Sequence, residues 1–105
     1  MANLTVHVYK DSDGEFRVHP PLVILQTGAG GDKLEVSNHT EEDLFWSAPV
    51  GAFDANHPHG NGVGKRQKKL SQNGAAAAGS YPYVVYMLQS GKKAKGNSDP
   101  MIIVE

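Results

Sequence analysis

Apolar and polar side chains alternate along several short stretches of this chain, and the alternation predicts β-strands. Val6 and Val8 point to one side of a first segment, and Leu34 and Val36 repeat the pattern in a later one. A period of two residues is typical of strands with one buried face. No long window has the period of a helix, so the sequence predicts an all-β protein.

Eight segments in all fit strands, and the expected total is therefore about seven or eight. The continuous apolar run at 22–26 predicts a central strand, whereas 48–64 is rich in glycine and proline and predicts a long irregular connection. Many short strands separated by turns favour a β-sandwich or barrel. The eight segments are 5–10, 16–19, 22–26, 33–38, 44–47, 65–71, 79–88 and 101–104.

The length and composition limit the class of protein. A chain of 105 residues is expected to form a single domain, 1–105. It contains no cysteine, and so no disulfide, thiolate ligand or thiol nucleophile. The N-terminal segment lacks the features of a signal peptide, and no apolar run approaches the roughly 20 residues of a membrane helix. We therefore expect a cytoplasmic protein without membrane insertion, or a periplasmic or secreted one if a leader has been removed.

The two halves of the chain carry opposite charge. Residues 1–54 have a net charge of −6 and residues 55–105 one of +5. The two signs either pair across the sheets or leave a basic loop face. A sequence pI near 6.5 argues against a dedicated nucleic-acid-binding protein. The basic loop face would consist of Lys65, Arg66, Lys68, Lys69, Lys92, Lys93 and Lys95.

Three phrases of the sequence resemble the cupredoxin family. The segment VHPPLVILQTGAGGDKLEVSNHTEED, at 18–43, is similar to the early strands of that family, with a Gly-Asp turn and a strand ending in Asn. GSYPYVVYML, at 79–88, resembles the strand that begins Gly-x-Tyr-x-Tyr and carries the ligand cysteine, and DPMIIVE resembles the terminal strand. The resemblance implies a cupredoxin-like Greek-key β-sandwich of the plastocyanin and azurin type, with two packed sheets of mixed strands.

The ligands of the family's copper site are missing from the matching positions. A type 1 site uses two histidines, a cysteine thiolate and a weak axial methionine. Leu44 stands nearest to the place of the first histidine and Val85 to that of the cysteine, while the loop 89–99 contains neither histidine nor methionine. We therefore expect no type 1 copper, no other cofactor and no electron transfer, and a former ligand pocket filled by apolar side chains.

The leading functional hypothesis is a non-catalytic binding or interaction module for an unknown protein or small ligand. No set of residues indicates a nucleophile or an acid–base pair, so we expect no enzyme. Alternation would bury only one of Phe45 and Trp46, and the other would join an exposed aromatic patch. The predicted interaction surface consists of Phe45, Trp46, Phe53, Lys92, Lys93 and Lys95.

The alternative hypothesis is a metal-handling protein. Two imidazoles separated by one residue, in His57-Pro58-His59, can chelate Cu²⁺ or Ni²⁺, with His39, Asp54 or Asn56 as a third ligand. If these histidines bind no metal, we expect the segment to be a solvent-exposed turn. His7 is predicted to face solvent.

Overall fold

The computed structural model describes residues 3–28, 31–49, 51–53, 59–71, 74–94 and 100–105. These residues form ten strands, and the all-β prediction is confirmed. None of them lies in a helix, and so none forms a helix long and apolar enough to cross a membrane. The strands are β1 (Asn3–Lys10), β2 (Phe16–His19), β3 (Leu22–Leu25), β4 (Lys33–Asn38), β5 (Leu44–Ala48), β6 (His59–Val63), β7 (Lys68–Leu70), β8 (Gly79–Pro82), β9 (Val84–Met87) and β10 (Met101–Val104).

The strands pair in three sheets with the orders β2-β1-β4-β7, β3-β10-β8 and β6-β5-β9. The pairs β1–β4 and β3–β10 are parallel and the others are antiparallel. The chain changes sheet twice after only one or two residues. Pro20 and Pro21 separate β2 from β3, and Tyr83 alone separates β8 from β9.

These changes of sheet explain part of the difference between eight predicted strands and ten observed ones. The predicted strand 79–88 is divided, because its first half pairs with β10 and its second half with β5. The other added strand is β6, which lies inside the stretch predicted to be irregular and pairs with β5 along its full length.

The prediction that 22–26 forms a central strand is wrong. β3 lies at the edge of its sheet, and Leu22 and Ile24 are 47% and 45% exposed. Their outward side chains stand opposite Met101 and Ile103 of β10, so the outer face of this pair is apolar as well as its inner face. The run is apolar throughout because β3 has apolar side chains on both faces, and not because β3 is a central strand.

One hydrophobic cluster contains the inward side chains of all three sheets. Val6, Val8, Leu34 and Val36 are fully buried, as their alternation predicts. Burying an aliphatic or aromatic side chain of this size contributes about 1.5–3 kcal/mol. Because the inward side chains form the core, the outward side chains of each strand are the ones that can contact solvent or ligands.

Asn38, at the end of β4, connects several segments through hydrogen bonds beneath the surface. Its side-chain nitrogen donates to the carbonyl oxygen of Glu42 at 2.7 Å and lies 3.3 Å and 3.2 Å from those of Val63 and Gly64. Its oxygen accepts from the amide and the hydroxyl of Thr40 at 2.9 Å and 2.8 Å. Asn38 is 1% exposed, and its network fixes the turns that lead into β5 and out of β6.

Candidate functional site

The two neighbouring aromatic residues of β5 point to opposite sides of the sheet. Phe45 is 40% exposed, and Trp46 is completely buried. Phe53 is also buried, with its ring edge-on to Trp46 at a centroid distance of 5.8 Å. The prediction that Trp46 and Phe53 belong to an interaction surface is therefore wrong. Both belong to the core because strand alternation turns Trp46 inward and Trp46 packs against Phe53.

Phe45 has an aromatic neighbour on the adjacent strand that the sequence analysis missed. Tyr86 of β9 stands directly opposite Phe45 and is also 40% exposed. Residues opposite one another in an antiparallel pair have Cβ atoms about 4.5–5.5 Å apart. On the other side of Phe45, a Cβ atom added to Gly60 would lie 2.5 Å from the ring carbon Cζ, so glycine leaves the space that the Phe45 ring fills.

Two of the predicted lysines lie beside this aromatic pair. The ammonium group of Lys93 is 5.7 Å from the centroid of the Tyr86 ring, within the range of a cation–π contact. Lys92 precedes it and is exposed. Lys95 lies outside the described residues. We call Phe45, Tyr86, Lys92 and Lys93 the aromatic–lysine face.

Backbone hydrogen bonds hold the lysine segment against β9. The amide of Met87 donates to the carbonyl oxygen of Lys92 at 2.7 Å, and that of Ala94 to Val85 at 2.9 Å. Ala94 is buried, which anchors the segment on the core side. The hydrogen-bonded backbone therefore holds the two lysines at a fixed position beside Tyr86.

The exposed apolar side chains are unevenly distributed between the sheets. Five of the six large hydrophobic residues that are exposed in the described part of the chain belong to β3, β5, β9 or the turn after β9. The four-stranded sheet contributes only Tyr9. The five are Leu22, Ile24, Phe45, Tyr86 and Leu88.

Part of the charge asymmetry of the sequence is compensated by local pairing. Arg66 forms an ion pair with Glu41 across the neighbouring turns, with the Nε–Oε1 distance at 2.6 Å. The backbone amide of Lys65 donates to the carboxylate of Asp43 at 3.0 Å. Lys92 and Lys93, in contrast, form no ion pair with any carboxylate of the described residues.

The two positions that the resemblance relates to copper ligands are both in the core. Leu44 and Val85 are completely buried, on neighbouring antiparallel strands. Leu44 stands opposite Met87, and Val85 stands opposite Trp46. Apolar side chains thus occupy both positions.

Only one residue of the predicted metal pair His57 and His59 lies within the described part of the chain. His57, Asp54 and Asn56 lie outside the described residues, and the backbone of His59 begins β6 opposite Ala48. The chelate of His57 and His59 therefore stays a prediction. Within the described ranges, no three His, Cys, Asp or Glu side chains are arranged as a metal site.

A different pair of histidines is in contact. His7 of β1 and His39, which follows β4, have ring centroids 5.1 Å apart, and a hydrogen bond of 2.9 Å joins Nδ1 of His7 to Nε2 of His39. The hydroxyl of Ser37 lies 3.2 Å from the same Nε2 atom. Sequence analysis predicted correctly that His7 is exposed, but it missed the contact, which follows from the parallel register of β1 and β4.

His39 lies between two open grooves in the surface. One has a volume of about 540 Å³ and extends over Ser37 and Lys68, and the other, of about 310 Å³, extends toward Tyr9 and Phe16. Arg66 lines both grooves. The imidazole pair is therefore open to solutes from solvent.

Two polar atoms in the core have no hydrogen-bond partner among the described residues. They are Nε1 of Trp46 and the hydroxyl oxygen of Tyr83. Burial raises the pKa of the Tyr83 hydroxyl far above its ordinary value, because the ionised form would lose its hydration. Tyr81, two residues earlier, instead donates its hydroxyl to the carbonyl oxygen of Ala77 at 2.9 Å.

Comparison with protein-family models and with curated proteins finds no match to this chain.

Proposed function

We propose that this protein is a non-catalytic binding module and that its aromatic–lysine face docks an acidic protein partner. The observation that carries the proposal is the exposure of Phe45 and Tyr86 side by side, with the Lys93 ammonium over the Tyr86 ring. A cupredoxin-like Greek-key scaffold without type 1 copper is part of the same proposal. The mixture of parallel and antiparallel pairs and the burial of Leu44 and Val85 support it.

The apolar part of the face favours a macromolecular partner. Isolated exposed hydrophobic residues are normal, whereas adjacent ones are typical of interaction sites. Phe45 and Tyr86 are adjacent across two paired strands, and Leu22 and Ile24 are exposed on the other three-stranded sheet. Large, rigid aromatic side chains of this kind provide much of the free energy of protein–protein binding.

The charged part of the face favours an acidic partner. Lys92 and Lys93 have no described carboxylate within ion-pair distance. The nearby acidic side chains have other hydrogen-bond partners, since Glu42 accepts from the amide of Ser90 at 2.8 Å and Asp43 from that of Lys65 at 3.0 Å. A partner carboxylate can therefore pair with the lysines, and complementary charge increases the association rate and the specificity.

A random copolymer of glutamate and tyrosine is a suitable probe, because it offers carboxylates and aromatic rings together. Binding is measured by titration followed with amide NMR, which reports both the affinity and the location. We expect shifts centred on residues 45, 86, 92 and 93. The double variant Phe45→Ser/Tyr86→Ser should weaken binding about tenfold or more, which corresponds to a loss of about 1.4 kcal/mol or more.

The matched control is Tyr9→Ser, which removes an aromatic side chain that is 37% exposed on the four-stranded sheet. It should leave the affinity unchanged. Polyglutamate without tyrosine should bind more weakly and with a stronger dependence on salt. Shifts centred on Arg66 and Lys68, or equal affinity of the double variant and the unchanged protein, would contradict the proposal.

A further inference from the structure

The geometry points to a binding site for a divalent transition metal ion, Cu²⁺ or Ni²⁺, formed by His7 and His39 with His19 as a third ligand. The site lies on the outer face of the β2-β1-β4-β7 sheet and involves neither the aromatic–lysine face nor the His57-Pro58-His59 segment. It is independent of the proposed function.

The two imidazole rings are close enough to bind the same ion. Nδ1 of His7 and Nε2 of His39 are 2.9 Å apart and share a hydrogen bond. Two imidazole nitrogens on one ion, each at the usual distance of ~2.0–2.1 Å, lie about 3 Å from each other, so the rings can reach this arrangement by small movements. Imidazole ligands suit Cu²⁺ and Ni²⁺, and Cu²⁺ binds most tightly of the divalent first-row ions.

Only the rings have to turn for these nitrogens to bind an ion. In the structure they share a hydrogen bond, with the ring planes tilted by 31°. In the metal-bound state each neutral ring keeps its proton on the nitrogen that faces away, and the two freed lone pairs point to the ion. Both side chains are exposed, so no core packing opposes the rotation.

The third imidazole comes from the neighbouring strand. His19 of β2 stands directly opposite His7 in the antiparallel pair, which places their Cβ atoms about 4.5–5.5 Å apart. Among the described residues, no third His, Cys, Asp or Glu side chain completes a site with this pair in the observed positions, so His19 must change its rotamer to bind. His19 is exposed at the end of its strand and has the freedom to do so.

The surroundings of the pair are compatible with entry of an ion. The larger groove beside His39 opens to solvent, and the Ser37 hydroxyl at 3.2 Å from Nε2 of His39 adds an oxygen near the site. The charge of Arg66 at this groove is paired with Glu41. Lys68, which is opposite Ser37, is the remaining described cation of the groove and lowers the affinity for a cation moderately.

Isothermal titration calorimetry with Cu²⁺ and with Ni²⁺ tests the site on the full chain. We expect one ion bound per chain, with an affinity reduced at least about tenfold in His7→Ala and in His39→Ala, because even residues one step removed from a metal contribute 10–100-fold. His19→Ala should cause a smaller loss. The matched control is the double variant His57→Ala/His59→Ala, which should bind as the unchanged protein does.

Electron paramagnetic resonance of the Cu²⁺ complex provides a second readout. We expect a tetragonal spectrum with nitrogen coupling that loses one nitrogen in His39→Ala. Circular dichroism checks that each variant is folded. A histidine-to-alanine variant that is not folded is replaced by the glutamine variant at the same position, for example His39→Gln, which keeps the approximate size of the side chain. Loss of binding in the His57/His59 double variant but not in His7→Ala, or equally weak millimolar binding by all variants, would overturn the inference.

Discussion

The four-stranded sheet and the two three-stranded sheets have inner faces that are alike and outer faces that differ. Every sheet contributes buried aliphatic or aromatic side chains to one cluster. Outside, the four-stranded sheet exposes polar side chains such as His7 and Lys68, whereas the other strands expose Leu22, Ile24, Phe45 and Tyr86. The polar outer face is stable in water by itself. The apolar one leaves area that a partner could cover.

The largest expected effect is a difference in the free energy of unfolding between variants of the inward and the outward aromatic residue of β5. Trp46→Ala removes a fully buried ring from contact with Phe53 and should lower the free energy of unfolding by about 3–5 kcal/mol. Phe45→Ala removes a ring that is 40% exposed and should cost less than about 1.5 kcal/mol. Urea denaturation measures both. Equal losses in the free energy of unfolding would mean that Phe45 stabilises the fold as much as Trp46 does and is not available mainly for binding.

Asn38 should have the next largest effect, because its buried network fixes the turns that lead into β5 and out of β6. Asn38→Ala removes the acceptor of the Thr40 amide and the side-chain nitrogen beside the carbonyl oxygens of Glu42, Val63 and Gly64, and we expect a loss of about 2–3 kcal/mol. Ser37→Ala is the control at the neighbouring position and should change the stability by less than about 0.5 kcal/mol. The same denaturation experiment measures both variants. A loss for Asn38→Ala as small as that of the control would show that its network does not fix these turns.

The two tyrosines around β8 should respond with opposite signs. Tyr83→Phe removes a buried hydroxyl without a described partner and should stabilise the protein by about 1 kcal/mol. Tyr81→Phe removes the hydrogen bond to Ala77 and should destabilise it by about 0.5–1 kcal/mol. Thermal unfolding at constant pH measures the difference. The same sign for both variants would indicate that the Tyr83 hydroxyl is satisfied.

Tyr83 also predicts a dependence on alkaline pH. Burial raises the pKa of Tyr83 in the folded state, so only the unfolded chain releases this proton once the pH exceeds about 10. The unchanged protein should therefore lose stability as the pH rises above that value. Tyr83→Phe should lose less over the same interval, and parallel curves would contradict the assignment.

The smallest effect concerns an ion pair at the edge of the polar face. The Arg17 guanidinium, 3.0 Å from Asp11, lowers the pKa of this carboxyl group, with help from the amides of Glu15 and Asp13. A lowered pKa in the folded state stabilises the protein above the unfolded value near 3.9, and this contribution disappears as the pH falls further. Asp11→Asn should therefore give a slightly shallower acid limb in the pH dependence of unfolding.

The sequence predicted the inner faces far better than the connections. Alternation correctly assigned Val6, Val8 and one of the pair Phe45 and Trp46, because burial of one sheet face is a local property. It did not predict that the chain changes sheet around Tyr83, since the residues before and after that point alternate in the same way. It also missed β6, whose glycines have low strand propensity and are tolerated because the Phe45 ring fills the space above Gly60.

The candidate sites were predicted only in part, for a similar reason. The local pattern predicts that one of Phe45 and Trp46 is exposed, but not which one, and the position of Tyr86 opposite Phe45 depends on the register of β5 and β9. The contact of His7 with His39 depends on a parallel pair between segments 32 residues apart in the chain. Register between distant strands is set by the complete core and not by either segment alone.

Successive amide NMR titrations of one sample with Cu²⁺ and with the glutamate–tyrosine copolymer test most directly whether the two outer faces are separate binding surfaces. We expect Cu²⁺ to broaden the signals around residues 7, 19 and 39 and the copolymer to shift those around 45, 86, 92 and 93, with either footprint unchanged by the other ligand. Overlapping footprints, or a copolymer footprint on the polar face, would contradict the assignment of different roles to the two faces.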